Sequence, residues 1–202
     1  MNQFAVLKKT KLKYLVLITL PLVLAVLLGA TYLLPTVLLI EHAAVLEAEP
    51  EEVYPLLSNP MEWEKWSVRN KTEDPTMIHL YGGPMAGVGA RMQWSGDKVG
   101  NGQLIFTEET SPSALTYLQT EESDTNQITG TFTLAATRGG TKIVWRQQAN
   151  YGTSPLNRVK GLLLRYKRER ELEAGLAGLK TLLKNNSKKS LTNSKKAYAT
   201  SR

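Results

Sequence analysis

His42 and His79 are the only histidines in this chain, and Glu108–Glu109 and Glu121–Glu122 are two adjacent acidic pairs that could serve acid–base work. A nucleophilic serine needs a base within hydrogen-bond reach, and a metal needs several converging ligands. Neither histidine has a carboxylate or a second histidine at ligand spacing, and each is expected on a strand surface. Neighbours on a strand point to opposite faces, so each glutamate pair is poorly placed to act as a cooperating acid and base. The chain has no cysteine, which removes thiolate nucleophiles, disulfides and cysteine-ligated metals. The stretch Gly82–Gly89 lacks the Gly-Lys-Ser/Thr ending of a phosphate loop, and Gly87-x-Gly89 lacks the third glycine of a dinucleotide fingerprint. On this footing no catalytic residue, metal or cofactor is assigned.

Recognition by shape and apolar surface is what remains. Strand alternation puts Met92, Trp94, Phe106, Tyr117, Phe132 and Trp145 on one side of a sheet, with Tyr166 facing them from a helix and Trp63 and Trp66 closing one end. These residues can line a hydrophobic cavity or fill a core, and alternation alone allows both. Arg170 stands seven residues after Leu163 and four after Tyr166, which turns it inward. There it is either a stem that packs while its head reaches water or a charge at a cavity.

The elements that must position these residues follow from local signals. Glu49-Pro50-Glu51-Glu52 starts a short helix, Ser58-Asn59-Pro60 ends it, and a second short helix over Met61–Trp66 puts Trp63 and Trp66 on one face. From Met77 the period becomes two. Turn clusters at Gly82-Gly83-Pro84, Ser95-Gly96-Asp97, Ser111-Pro112-Ser113, Glu122-Ser123-Asp124 and Arg138-Gly139-Gly140 divide it into an antiparallel meander. Ser154-Pro155 then opens a long helix ending near Asn185. It carries two apolar stripes slightly out of phase, Leu156-Val159-Leu163-Tyr166 and Leu172-Leu176-Leu179-Leu183. Gly175 and Gly178 are costly in a helix interior and imply a close neighbour. Residues 186–202 have the composition of a disordered basic tail.

The formal charge of +7 is unevenly spread. The first thirteen residues and the stretch from Lys184 to Arg202 hold ten cations and no acids, which leaves the body at −3. A nucleic-acid partner, which would need a basic folded face, is not expected. Residues 1–13 read as a basic cytoplasmic N-terminus, and residues 14–35 as a transmembrane anchor. About 20 apolar residues cross a bilayer core, and the helix from Tyr14 to Leu34 reaches just over about 30 Å before Pro35 ends it. Thr36 to Ala48 becomes the first strand. Lysines before the run and glutamates after it place the N-terminus inside and the domain outside the cytoplasmic membrane, as a single-pass protein.

Six segments then carry a family likeness: Glu51-Glu52-Val53-Tyr54-Pro55-Leu56-Leu57, Trp63-Glu64-Lys65-Trp66, Gly87-Val88-Gly89-Ala90 with Trp94, Val99-Gly100-Asn101-Gly102, Gly140-Thr141-Lys142-Ile143-Val144-Trp145 and Leu172-Glu173-Ala174-Gly175-Leu176. In this order they resemble the START/Bet v1-like (SRPBCC) superfamily, in its bacterial polyketide cyclase/dehydrase and lipid-transport branch. The resemblance implies an α+β helix-grip fold over residues 36–185, with a curved antiparallel sheet of about seven strands around the C-terminal helix and a hydrophobic cavity between them. It implies no common chemistry. The expected function is a membrane-anchored module that binds a lipid or other hydrophobic small molecule. The alternatives are a cyclase/dehydratase-type enzyme on a hydrophobic substrate and an envelope interaction protein with a vestigial cavity. The bilayer and a hydrophobic ligand are the expected partners, and no protein partner is named.

Overall fold

Alternating apolar residues between Val37 and Asn150 build one seven-stranded antiparallel sheet. Its strands are β1 (Val37–Leu46), β2 (Ile78–Gly82), β3 (Arg91–Ser95), β4 (Gly102–Thr110), β5 (Ala114–Glu121), β6 (Asp124–Thr137) and β7 (Gly140–Asn150), in the order β1-β7-β6-β5-β4-β3-β2. The computed structural model describes residues 3–200, and side-chain surroundings for residues 15–189 except Val16 and Thr125, and for Thr192. Strands β2 to β7 form the expected meander. β1 pairs with β7, Val37 opposite Asn150 and Leu46 opposite Thr141. Helices α1 (Gln3–Thr31), α2 (Pro50–Ser58) and α3 (Pro155–Thr200) and a 3-10 turn over Pro60–Lys65 complete the α+β fold. The Asn59 side chain caps that turn by accepting from the Met61 amide at 3.0 Å, which fixes where α2 stops and Trp63 begins.

The core lies between the inner face of the sheet and the middle of α3. Leu172, Leu176, Leu179 and Leu183 are buried there. Gly175 and Gly178 provide the close approach. A Cβ on Gly175 would sit 2.7 Å from Trp145, and one on Gly178 would collide with the Trp66 carbonyl. The helix is therefore pressed onto two tryptophans at positions where any larger residue overpacks.

Four expectations are corrected. First, Tyr166 and Arg170 do not face the sheet; both are exposed. α3 is one continuous helix, so its rotation is set by the four leucines and two glycines of its middle turns, and extending that face backwards leads to Arg168, Gly161 and Arg158. Second, α3 continues to Thr200 instead of ending near Asn185. No glycine or proline follows Gly178, so nothing in the sequence interrupts backbone hydrogen bonding. Third, α1 begins at Gln3 and takes in the four lysines before the apolar run. Among the residues whose side chains are described, which begin at Leu15, no helix is long and apolar enough to cross a membrane. Fourth, His79 does not lie on a strand surface. Its side chain is 4% exposed, with Nδ1 3.9 Å from a Glu64 carboxylate oxygen.

Candidate functional site

The inner face at the β5–β6 turn is charged. Arg69, in the loop after the 3-10 turn, donates to Glu121 at 2.9 Å and to Glu171 at 3.4 Å. Arg168, 2% exposed, donates to Asp124 at 3.0 Å and lies 3.7 Å from Glu121. Asp124 also accepts from the Tyr151 hydroxyl at 2.7 Å, from the Asn126 side chain at 2.8 Å, and pairs with Lys160 at 3.5 Å. The sequence places these groups by ordinary means. Gln119 and Glu121 are two apart on β5 and share its inner face, where Gln119 donates to Glu121 at 2.7 Å. Arg168 stands four residues before Leu172, on the same helix face.

Next to the charges, the Tyr117 hydroxyl accepts from Trp145 Nε1 at 2.9 Å and from Gln147 Nε2 at 2.8 Å. Among the described residues Arg69 Nε, Arg168 Nε, Arg168 Nη1 and Gln147 Oε1 are buried without a hydrogen-bond partner. Turning the Gln147 amide over would let Tyr117 donate to it but would orphan its NH2 group instead. Each unmatched buried group costs about 1–3 kcal/mol. The cluster thus presents guanidinium N–H donors and a phenol with no protein partner for all of them.

Electrostatics follow the pairing. Burial works against the charges of Glu121 and Asp124. For Glu121, Arg69, Arg168 and Lys167 nonetheless hold the carboxyl below the usual range. For Asp124, hydrogen bonds from Tyr151 and Asn126, with Arg168, do the same. Burial, reinforced by the bond to Asp124, pushes Tyr151 up to about 12. Burial also raises Tyr117. Asp74, which accepts from the Thr76 hydroxyl and from the Lys98 and Val99 amides, is lowered to about 2, chiefly by the Thr76 hydroxyl. A depressed carboxylate stabilises the fold above its unfolded pKa of about 4 and loses that contribution as pH falls through its folded value. The thermal midpoint is therefore expected to stay flat from neutral pH to about pH 5 and to drop steeply from about pH 4 towards pH 2. A midpoint that held steady through that window would contradict the assignment.

A groove of about 450 Å³ opens on the outer face of the sheet at the same end, lined among others by Ile78, Leu80, Gln93, Trp94, Gly102, Gln103, Thr120 and Glu121. Its size lies within the range of small-molecule sites. Ile78 and Leu80, on edge strand β2, are exposed apolar side chains in its wall. Gly102 leaves room on the inner face for the Trp94 indole, which a Cβ there would strike. The Arg69 guanidinium carbon lies 4.7 Å from the centroid of the Trp94 ring. Trp94 and Glu121 therefore belong both to the groove wall and to the buried cluster.

The residues expected to line a cavity are distributed otherwise. Trp63 lies 5.0 Å from Trp66, 5.9 Å from Phe106, 5.4 Å from Tyr117, 5.7 Å from Phe132 and 6.2 Å from Trp145, ring centroid to ring centroid. Phe132 and Trp145 are 4.8 Å apart. These six rings pack on one another where a lined space was expected. Met92 borders a smaller opening of about 200 Å³ with Leu104 and Leu118, and Trp94 borders the groove. Tyr166 and Arg170 pair with each other on the outside at 3.4 Å. Sequence reasoning passed over Arg69, Asp124, Gln147 and Arg168, and weighed Glu121 only as half of an acidic pair. The spacing of Arg168 to Leu172 was the available signal. Among the described residues no group of three or more histidines and acids could hold a metal.

Comparison with known proteins agrees with the fold. Protein CV1439 from Chromobacterium violaceum is 21% identical, with 74% of this chain and 98% of that one aligned and a TM-score of 0.50. A protein of unknown function from Staphylococcus aureus, SA2116, gives 11% identity, coverage of 75% and 96%, and a TM-score of 0.59. The di-domain ARO/CYC StfQ from the steffimycin biosynthetic pathway gives 15% identity, coverage of 75% and 52%, and a TM-score of 0.56. At these identities the likeness concerns the fold alone. No curated protein matches in sequence. The model of one family, described as polyketide cyclase / dehydrase and lipid transport, matches residues 38–184, which takes in all seven strands and the buried half of α3. The chain belongs to the polyketide cyclase/dehydrase and lipid transport family.

Proposed function

We propose that this protein is a membrane-anchored binding module for an amphipathic small molecule. The apolar body of the ligand lies against Ile78 and Leu80 on the outer face of the sheet, and its polar end meets the amide side chains of Gln93 and Gln103 and the Thr120 hydroxyl. One observation carries this reading: an open groove of about 450 Å³ sets two exposed apolar side chains beside these polar groups. Lipids and hydrophobic polyketide-like molecules with a carbonyl or carboxylate fit that pattern. The anchor is supported by α1, whose side chains from Leu15 to Leu28 are exposed wherever they are described; a helix apolar all round calls for an apolar surrounding. Lysines before it and glutamates after it favour a domain outside the cytoplasmic membrane. A second reading, an interaction module with a vestigial cavity, draws on the packed aromatic interior.

Native mass spectrometry of the full chain extracted in mild detergent is expected to show a bound small molecule. Fatty acids or aromatic carboxylic acids are expected to raise its thermal midpoint. Leu80→Asp, at an exposed position, should leave the fold intact and weaken that binding roughly tenfold or more, the value of one apolar side-chain contact. Absence of any added mass together with no thermal response would overturn the binding reading, as would an unchanged response in Leu80→Asp.

A further inference from the structure

The N-terminal half of α3 is amphipathic in the inverted sense for a helix lying on its own domain. Towards the sheet it turns Arg158, Gly161 and Arg168, all buried. Outwards it turns Leu156, Leu163 and Tyr166, which are 76%, 73% and 67% exposed, with Leu162 and Val159 beside them. A helix normally buries its apolar stripe, and a contiguous exposed one marks a surface that something covers.

The stripe starts where α1 ends. Arg158 Nη1 donates to the carbonyls of Tyr32 at 2.8 Å and Leu34 at 3.1 Å, and its guanidinium carbon lies 5.6 Å from the centroid of the Tyr32 ring. Leu162 meets Leu34 and Pro35 in a small crevice. The exposed leucines of α1 thus run into those of α3. Lys160, Lys167 and Arg170 flank the stripe. Leucines edged by cations and accompanied by tyrosine form the composition that settles at the headgroup level of a bilayer. A second copy of this chain would bring the same cations against them, which disfavours self-association through this face.

We propose that the N-terminal half of α3 lies in the membrane interface, with Leu156, Leu163 and Tyr166 dipped into an anionic lipid surface. This rests on reading α1 as an anchor. It fixes the domain by two adjoining elements, and it puts the β6–β7 turn at Arg138 at the far end of the sheet, about 33 Å away along the ten residues of β1.

The absence of cysteine makes single labelling sites clean. Full-length Leu163→Cys and Arg138→Cys, each carrying a polarity-sensitive dye, would be reconstituted into vesicles of phosphatidylethanolamine and phosphatidylglycerol. Circular dichroism and the thermal midpoint would check that both remain folded. The expected result is a blue-shifted Leu163 dye that brominated lipids quench and aqueous iodide does not, with the opposite pattern at Arg138. A Leu163 dye as open to iodide as the Arg138 dye overturns the proposal. Protection from iodide without lipid quenching overturns it too, since a protein would then cover the face. Alkaline carbonate extraction reads the anchor separately. Retention with a water-exposed Leu163 dye keeps the anchor and ends the docking proposal, whereas release of a chain whose dye had been lipid-quenched ends the anchor and keeps the docking.

Discussion

Replacing Arg168 by methionine is expected to lower the unfolding free energy by about 3–5 kcal/mol, the usual effect of removing one partner of a buried ion pair. Methionine keeps an unbranched stem, so the loss reports charge more than volume. Asp124 is fully buried and would retain Tyr151, Asn126 and the more distant Lys160. It would lose its closest cation in a setting where water cannot substitute. The acid limb of the stability profile should change with it. With Arg168 gone, the Asp124 carboxyl is held less far below the ordinary value, so the drop in stability on acidification is smaller and is complete at higher pH. The double variant Asp124→Asn with Arg168→Met removes both charges and should recover much of the loss. Urea unfolding of the three variants measures this. A loss below about 1 kcal/mol for the single variant would place the pair in the solvated class and remove it from the interior.

Arg168 also shows what the sequence could and could not convey. Period-two alternation from Met77 to Asn150 and the turn clusters were sufficient for the meander, because one face of each strand is buried and a one-residue slip would invert it. Pro50, Asn59-Pro60 and Pro155 marked helix limits because proline and asparagine act locally. Gly175 and Gly178 announced a close approach that the structure assigns to Trp145 and Trp66. The rotation of α3 was harder. Two apolar stripes out of phase cannot both face the sheet, and only the packed core decides between them. The stripe with leucines on both sides of two contact glycines wins, so Arg168 turns inward and Arg170 outward. Glu121 was set aside as a poor acid–base partner for Glu122, and its place in the interior was hidden for a related reason. An acid beside a turn is ordinarily solvated, and its burial depends on Arg69 and Arg168, 52 and 47 positions away in sequence. Whether aromatic rings line a space or fill it depends on distances between strands, which alternation does not contain.

Trp63→Ala is expected to cost about 3–5 kcal/mol, comparable to Arg168→Met but of opposite character. Trp63 is 1% exposed and sits at the centre of five other rings. Its Nε1 donates to the Leu57 carbonyl at 2.7 Å, so truncation also frees the end of α2. Phe106, Tyr117, Phe132 and Trp145 belong to four strands held in register by their ladders, so they cannot close on the vacated volume and an apolar cavity remains. Such a cavity stays dry and accepts a small apolar molecule. Indole should therefore raise the thermal midpoint of Trp63→Ala and restore part of the lost stability, in proportion to its occupancy. The wild-type interior, already filled by the six rings, should not respond in this way. Any response of the wild type would come from the groove, would be removed by Leu80→Asp, and would survive Trp63→Ala. If the wild type instead bound indole in a manner insensitive to Leu80→Asp, the interior would open on its own, and the ligand site would lie among the aromatic rings and not beside Trp94.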